Sequence, residues 1–225
     1  MIQGQPTYDV IRAEESILAT NKVLRNTYLL LALTLLCTAG TAALSMRLAL
    51  PYPGMLLTLV GYFGLLFLTT KFRESGLGLV FIFALTAFMG FTLGPIVSAY
   101  MKALPNGHQL VTTAFGATGA IFVGLSAIAL TTRKNFNFMG SFLTVGILTA
   151  FVLALIAVFF NISGLALAVS GMFVLLSSGL ILFQTSEIIH GGERNYIMAT
   201  ITLWVSIYNL FTSLLHLLGA FGRDD

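Results

Sequence analysis

Long apolar stretches alternate with short polar breaks along almost the whole chain. The breaks are rich in proline, glycine, asparagine and charged residues. Each apolar stretch is close to the roughly 20 residues that cross the hydrocarbon core of a bilayer. Seven helices are predicted on this basis, over residues 27–46, 55–70, 77–100, 110–130, 140–160, 165–183 and 196–218. The pattern therefore predicts an all-α membrane protein folded as a seven-transmembrane-helix bundle.

Composition supports a membrane protein. Of the 225 residues, 57% are hydrophobic and only 8% are charged. A soluble domain carries roughly 25% charged residues, so a water-soluble fold would not cover this much apolar surface. We expect residues 1–25 to form an N-terminal tail, residues 26–221 the transmembrane domain, and residues 222–225 a short C-terminal tail. The single cysteine, Cys37, excludes a disulfide within the chain.

The basic residues indicate the orientation of the bundle. Eight of the 11 lysines and arginines lie in the N-terminal tail and the second, fourth and sixth connections, and three lie on the opposite side. Connections that face the cytoplasm retain an excess of these residues, so we expect the N-terminus inside and the C-terminus outside. The same residues occur singly or in pairs beside apolar runs. The net charge of +3 therefore indicates membrane topology rather than nucleic-acid binding.

Ionisable side chains are almost missing from the predicted spans. Aspartate occurs only at positions 9, 224 and 225, and glutamate only at positions 14, 15, 74, 187 and 193. The sequence lacks the paired aspartates of an intramembrane aspartyl protease and the His-Glu-x-x-His helix of a zinc protease. Ser126 and His216 give only a weak match to the activated serine and histidine base of a membrane serine protease. We therefore expect no catalytic residues, no cofactor and no metal site, and a protein that is not an enzyme.

The last predicted helix carries a narrow polar stripe. Spacings of four and three residues keep its members on one helical face, and they are Thr202, Ser206, Asn209, Ser213 and His216. Polar groups that faced lipid would lack hydrogen-bond partners. We therefore expect the stripe to face the interior, with this helix central and surrounded by the other six. The stripe either makes hydrogen bonds to neighbouring helices or lines an ion path.

A second polar pair lies at the end of the sixth predicted helix. Gln184 and Glu187 are three residues apart and share a face, with Glu187 just past the helix. The connection to the last helix is short. We therefore expect both side chains to approach Thr202 and Ser206 and to form a polar mouth on the cytoplasmic side.

Small residues recur at four-residue spacing in two predicted helices. They are Gly90 and Gly94 in the third, and Gly116, Ala120 and Gly124 in the fourth. Such stripes let helix backbones approach closely in lipid, and we interpret both as helix packing, with a ligand path as the alternative. Pro95 should kink or break the third helix, because it removes a backbone donor and clashes with the preceding turn.

Six short motifs between Lys22 and Gly219 are distinctive in combination. They are Lys22-Val-Leu-Arg-Asn-Thr-Tyr28, Leu93-Gly-Pro-Ile96, Leu130-Thr-Thr-Arg-Lys134, Ser177-Ser-Gly-Leu-Ile-Leu-Phe183, Ile188-Ile-His-Gly-Gly-Glu193 and Ser206-Ile-Tyr-Asn-Leu-Phe211. In these motifs the chain resembles the Bax inhibitor-1 family, and within it the bacterial branch described as modulators of the FtsH protease. The resemblance implies six helices around the last one, in the bacterial inner membrane, so that the outer side is the periplasm.

The resemblance also implies a function. Members of this branch act on the ATP-dependent membrane protease FtsH by occupying it as slow substrates or competitors, without catalysis. The expected partners are then FtsH, either alone or with its companion membrane proteins, and the lipid bilayer. The residues that engage the protease would lie in the N-terminal tail, at Tyr8, Arg12, Glu14 and Glu15.

The alternative within the family is a pH-sensitive calcium leak channel, with calcium as its ligand. Two aspartates, one on each of the last two helices, gate such channels. Matching the motifs places Gln184 and Ser206 at these two positions. Neither side chain offers the negative charge that attracts calcium, so the sequence departs from the channel pattern.

Overall fold

The chain is all helical within the part described by the computed structural model, which covers the backbone of residues 6–222 and the side chains of residues 20–222. The seven helices are α1 (Pro6–Arg47), α2 (Met55–Lys71), α3 (Gly76–Ala103), α4 (Gly107–Thr132), α5 (Gly140–Phe159), α6 (Ser163–Ile189) and α7 (Tyr196–Phe221). A short 3-10 turn at Asn137–Met139 precedes α5. The prediction of seven helices from the apolar runs is confirmed.

Length and hydropathy make the bundle a membrane domain. Among the described residues, six helices are long and apolar enough to cross a bilayer, and in α1 this stretch is Thr20–Arg47. The remaining helix, α2, has 17 residues. That length is the lower limit of about 17–25 residues for a spanning helix.

The last helix lies at the centre of the bundle, as predicted. α7 packs directly against α1, α3, α4 and α6, whereas α2 packs mainly on α3 and α5 mainly on α6. From Tyr196 to Ala220 no residue of α7 is exposed. Trp204, Leu210 and Leu215 are completely enclosed. Four of the other six helices therefore contact α7 directly, and α2 and α5 extend the bundle on the outside.

The small residues of α3 bring it close to α1. A Cβ added at Gly90 would lie 2.5 Å from Thr38 O, and one at Gly94 would lie 2.7 Å from Ala42 O. Both of these neighbours are backbone atoms, which cannot move aside as a flexible side chain can. Helix packing is therefore the confirmed role of Gly90 and Gly94.

The small residues of α4 face outward instead. Gly116, Ala120 and Gly124 are exposed. A Cβ added at either glycine would meet nothing within 4 Å. The prediction that this stripe packs against another helix of the chain is wrong. Spacing places small residues on one helical face, but the neighbouring helices decide whether that face is covered.

Pro95 does not break α3, which runs as one helix from Gly76 to Ala103. Proline has no N–H, so the carbonyl four residues earlier loses its helical partner. That carbonyl belongs to Phe91, and the Ser45 hydroxyl of α1 donates to it over 2.9 Å. The predicted break does not occur, because a hydroxyl of the neighbouring helix takes the place of the missing backbone donor, and a kink at Pro95 stays a prediction.

Candidate functional site

Basic residues gather at one end of the bundle. This end holds the α2–α3, α4–α5 and α6–α7 connections, with Arg73, Arg133, Lys134 and Arg194. We call it the basic end, and the end with the α1–α2, α3–α4 and α5–α6 connections the opposite end.

Four buried side-chain atoms near the basic end have no hydrogen-bond partner within the described protein. They are Thr27 Oγ1, Ser126 Oγ, Gln184 Nε2 and Glu187 Oε1. Thr27 is completely buried, and Ser126 and Gln184 are 4% and 6% exposed. Buried polar atoms of this kind bond to water or to an ion in most proteins. We call these four residues the polar cluster.

Contacts between helices place the polar cluster at one depth in the bundle. The Thr200 hydroxyl of α7 donates to Thr27 O over 3.2 Å. The hydroxyls of Tyr28 and Thr185 lie 3.3 Å apart. Tyr28 also packs against Phe122 of α4, with ring centroids 6.1 Å apart. Helices α1, α4, α6 and α7 therefore meet at this level, within about one helical turn of Thr27, Ser126, Gln184 and Glu187.

Glu187 is the one carboxylate among the described residues that lies in a membrane-spanning helix. The expectation that it lies past the sixth helix is wrong, because α6 extends to Ile189. The helix ends before Gly191, which has a φ of 74°. The carboxylate of Glu187 folds back over Gly192, whose amide donates to Glu187 O over 2.9 Å. Among the described residues, no three His, Cys, Asp or Glu side chains are grouped to hold a metal ion.

The polar stripe of α7 lies within the bundle. Two of its members, Ser206 and Ser213, are buried, and the other three are half-buried, namely Thr202, Asn209 and His216. The apolar face of α7 is covered as well, because Leu203 and Leu210 are completely buried. Interior placement therefore does not distinguish the polar face from the apolar one.

The predicted polar mouth would bring Gln184 and Glu187 to Ser206 and Thr202. The Ser206 hydroxyl donates to Thr202 O over 2.7 Å, and the Thr202 hydroxyl donates to Met198 O over 3.1 Å. These bonds stay within α7. Within the described part of the chain, the structure joins Gln184 and Glu187 at one level with Thr27 and Ser126, two residues that sequence reasoning did not select for this site. An ion path through the stripe stays a prediction.

His216 lies toward the opposite end of α7, with Nδ1 2.7 Å from the Ser170 hydroxyl of α6. It lines a cavity of about 200 Å³ together with Tyr100 and Gly219. Ser126 belongs to the other end of the bundle, near the end of α4. The Ser126–His216 pair considered for a serine protease is therefore wrong.

Asn195 joins two connections at the basic end. Its Oδ1 accepts hydrogen bonds from the amides of Ile197 and Met198, over 3.0 and 3.1 Å, and so caps α7. Its Nδ2 donates to Arg73 O over 3.1 Å and to Glu74 Oε1 over 3.0 Å. One side chain thus fixes the start of the central helix to the α2–α3 connection.

Replacing Asn195 with alanine should lower the free energy of unfolding by about 1 kcal/mol, the typical cost of losing a helix N-cap. The midpoint of thermal unfolding in detergent, followed by circular dichroism, measures the effect. Asn195→Ser is the matched control, because its hydroxyl can still cap α7 and adds no charge beside Glu74, so it should lose less. An alanine variant as stable as the wild type would contradict the capping role.

The residues expected to engage a protease, Tyr8, Arg12, Glu14 and Glu15, have side chains outside the described part of the chain. The backbone of α1 is helical from Pro6. The role of these four side chains stays a prediction.

Apolar helices packed around a central seventh helix make this chain a multi-pass membrane protein. A family model described as "Inhibitor of apoptosis-promoting Bax1" matches residues 20–223. The chain therefore belongs to the Bax inhibitor-1 family, and the resemblance read from the motifs is confirmed.

Three relatives match almost the whole chain. An uncharacterized protein of Pseudomonas aeruginosa, PA2604, is 57% identical over 203 residues, which cover 90% of this chain and 91% of the relative. The protein named "Modulator of FtsH protease YccA" of Escherichia coli K12 is 49% identical over 209 residues, 93% of this chain and 94% of the relative. An uncharacterized membrane protein of Vibrio cholerae is 42% identical over 221 residues, 98% of this chain and 99% of the relative.

Proposed function

We propose that this chain is a modulator of the membrane-anchored protease FtsH. It acts through protein–protein contact and not through catalysis, as a slow substrate that competes with other membrane proteins for the enzyme. The observation that supports the proposal most directly is the 49% identity, over nearly full length, to a relative named as a modulator of this protease.

The proposal includes a location and an orientation. A second relative, also 49% identical, is named an inner membrane protein, which supports the inner membrane for this chain. The basic end would face the cytoplasm, because cytoplasmic connections are rich in Lys and Arg. The N-terminus would then be cytoplasmic and the C-terminus periplasmic.

The first helix supplies the part that would reach the protease. α1 begins at Pro6, whereas the first apolar run of the sequence begins at residue 27. Residues 6–26 would therefore form a helical arm before the membrane-spanning part of α1. At about 1.5 Å per residue, this arm would be roughly 30 Å long. It carries the four candidate residues Tyr8, Arg12, Glu14 and Glu15.

Deleting residues 1–20 is expected to abolish co-purification with FtsH and to restore degradation of competing membrane substrates. The bundle should stay folded, because the spanning stretch of α1 remains nearly complete. Co-purification in mild detergent and the degradation rate of a second membrane substrate measure the two effects. Deletion of residues 222–225 is the matched control, since it shortens the other terminus and should leave both readouts unchanged.

A full-length variant guards against a folding defect in the deletion. Tyr8, Arg12, Glu14 and Glu15 are replaced together by alanine, which favours helix and so keeps the arm. Undiminished capture of FtsH by both the deletion and this variant would overturn the proposal. The alternative function, a cation leak through the polar cluster, predicts that the deletion leaves ion flux in liposomes unchanged.

A further inference from the structure

A cavity of about 600 Å³ lies at the basic end, between the α2–α3 and α6–α7 connections. Its volume is within the range of roughly 300–1,000 Å³ that is usual for ligand-binding pockets. Four charged side chains line it, two of each sign, namely Arg73, Glu74, Glu193 and Arg194. The two connections are held together because Asn195 donates to Arg73 O and to Glu74 Oε1. We call this cavity the charged pocket.

Both arginines of the charged pocket retain hydrogen-bond donors. Arg73 Nε lies 3.5 Å from Glu74 Oε1, and Arg194 Nε donates to Gly191 O over 3.3 Å. Within the described part of the chain, the terminal nitrogens of the two guanidinium groups donate no hydrogen bond. A guanidinium group presents paired N–H donors that match the oxygens of a phosphate. The two arginines therefore supply the positive side of an anion site.

The start of α3 adds to this positive side. Ser75 precedes the helix but does not cap it, since its hydroxyl donates to Phe72 O over 3.0 Å. The first turn of α3 carries no acidic residue, and both Ser75 and Gly76 line the pocket. The amides at a helix N-terminus favour a negatively charged group nearby. The helix start and the arginines therefore favour the same kind of ligand group.

The two glutamates impose a second, opposite requirement. Glu74 Oε1 accepts from Asn195 Nδ2 over 3.0 Å, and Glu193 Oε1 accepts from the Asn195 amide over 2.8 Å. Among the described residues, the other oxygen of each carboxylate, Oε2, accepts no hydrogen bond. The four lining charges cancel, so a purely anionic ligand would meet repulsion as well as attraction. A ligand with both a phosphate and an ammonium group that carries N–H donors would satisfy both pairs of side chains.

The position of the pocket favours a membrane lipid over a soluble molecule. Two of its lining residues, Gly76 and Tyr196, begin the membrane-spanning helices α3 and α7. The pocket therefore lies where these helices enter the bilayer, at the level of the lipid headgroups. In the first turns of α3, Leu77 and Val80 are 50% and 60% exposed. They offer apolar surface to the acyl chains of a lipid whose headgroup occupies the pocket.

We propose that the charged pocket binds the phosphoethanolamine headgroup of a phospholipid from the leaflet at the basic end. The two arginines and the start of α3 hold the phosphate, and the two glutamates accept hydrogen bonds from the ammonium group. The bound lipid bridges the α2–α3 and α6–α7 connections. The site uses only residues of this chain, so it does not depend on the function proposed above.

Native mass spectrometry of the full-length protein, titrated in detergent with one lipid at a time, measures the headgroup preference. The probes are dioleoyl phosphatidylethanolamine, phosphatidylcholine and phosphatidylglycerol, which differ only in the headgroup. The first should bind about tenfold more tightly than the second, because the quaternary ammonium of choline has no N–H to donate. It should also bind several-fold more tightly than the third, which lacks the ammonium group. Soluble phosphoethanolamine should compete only weakly, because it has no acyl chains.

Replacing both arginines of the pocket tests the phosphate side. Arg73→Gln combined with Arg194→Gln should weaken the binding of phosphatidylethanolamine about tenfold, because charge-assisted hydrogen bonds are lost. The matched control is Arg133→Gln combined with Lys134→Gln. It removes the same two positive charges from another connection of the basic end and should leave the binding unchanged.

Replacing both glutamates tests the ammonium side. Glu74→Gln combined with Glu193→Gln keeps an acceptor for each bond from Asn195, so the two connections should stay joined. The variant removes the negative charges, and phosphatidylglycerol should then bind more tightly than phosphatidylethanolamine.

Four results would overturn the proposal. In the parent protein they are equal binding of phosphatidylethanolamine and phosphatidylcholine, equal binding of phosphatidylethanolamine and phosphatidylglycerol, and soluble phosphoethanolamine that binds as tightly as the lipid. The fourth is an equal loss of binding in the control and in the variant that lacks the two pocket arginines, since it would indicate a general attraction to the basic end. If the arginine variant does not fold, the headgroup comparison on the parent protein decides.

Discussion

Replacing Trp204 with alanine is expected to lower the free energy of unfolding by about 3–5 kcal/mol, the usual cost of removing a buried aromatic side chain. Trp204 is 1% exposed, and its cluster includes Leu31 of α1, Leu85 of α3 and Ile181 of α6. It also stacks on Tyr208, with ring centroids 5.2 Å apart. The substitution would leave a cavity at the centre of the bundle, where lipid cannot enter. The packing contacts of the indole ring would therefore be lost and not replaced.

Reversible unfolding in mixed micelles, followed by far-ultraviolet circular dichroism, measures the loss at Trp204. Trp204→Phe is the matched control, because it keeps a large ring and removes the hydrogen bond from Nε1 to Thr38 Oγ1, which is 3.0 Å long and buried. That variant should lose about 1 kcal/mol. A Trp204→Ala variant that loses less than the phenylalanine variant would show that the central helix is not where the structure places it.

Replacing Gly90 with leucine is expected to cost about 3 kcal/mol, the upper end of the usual range for overpacking. A Cβ at this position would lie 2.5 Å from Thr38 O and 3.0 Å from Thr38 Cα. Because these are backbone atoms of α1, the two helices must separate. Separation would also strain the bond from Thr38 Oγ1 to Thr86 O, now 3.1 Å long.

Gly116→Leu is the matched control for Gly90→Leu. It makes the same chemical change in another membrane-spanning helix, at a glycine that meets nothing within 4 Å. Its melting temperature in detergent should equal that of the wild type or exceed it slightly, since leucine favours helix more than glycine does. Equal losses of stability in the two variants would show that the loss in Gly90→Leu does not come from the contact between α1 and α3.

Apolar runs alone predicted the helix positions well. The run at 140–160 became α5 at Gly140–Phe159, and the run at 196–218 became α7 at Tyr196–Phe221. The largest difference is at the start of α1, predicted at residue 27 and found at Pro6, and α6 also ends later than predicted, at Ile189 instead of residue 183. Polar residues end an apolar run but not the helix itself, because an α-helix satisfies its own backbone groups and can continue through polar residues.

Only two of the four residues of the polar cluster could be predicted from the sequence. Gln184 and Glu187 stood out because they are polar beside an apolar run. Thr27 and Ser126 are single hydroxyls without a spacing pattern, and hydroxyls in membrane helices usually bond to a carbonyl one turn earlier, as Thr118 does with Ala114 O over 2.7 Å. Which hydroxyl is left without a partner depends on neighbouring helices, and the sequence does not show these.

The same limit applies to the glycine stripes. Gly90 and Gly116 belong to stripes of equal spacing, yet the first is covered by α1 and the second is exposed. Whether a glycine stripe is covered depends on which helix lies beside it, and this follows from the order of the helices around α7. That order depends on long-range packing, which periodicity within one helix does not report.

The unbroken course of α1 has a mechanical consequence. If the proposed function holds, a motor that drew on the first residues would pull on one continuous helix, which runs from Pro6 to Arg47. Its partner along this path is α3, the most extensive helix pair of the bundle, and α7 holds it on another side. Extraction from this terminus would therefore meet its greatest resistance at the first step, before any other helix has moved. A chain built in this way would stall a pulling enzyme early.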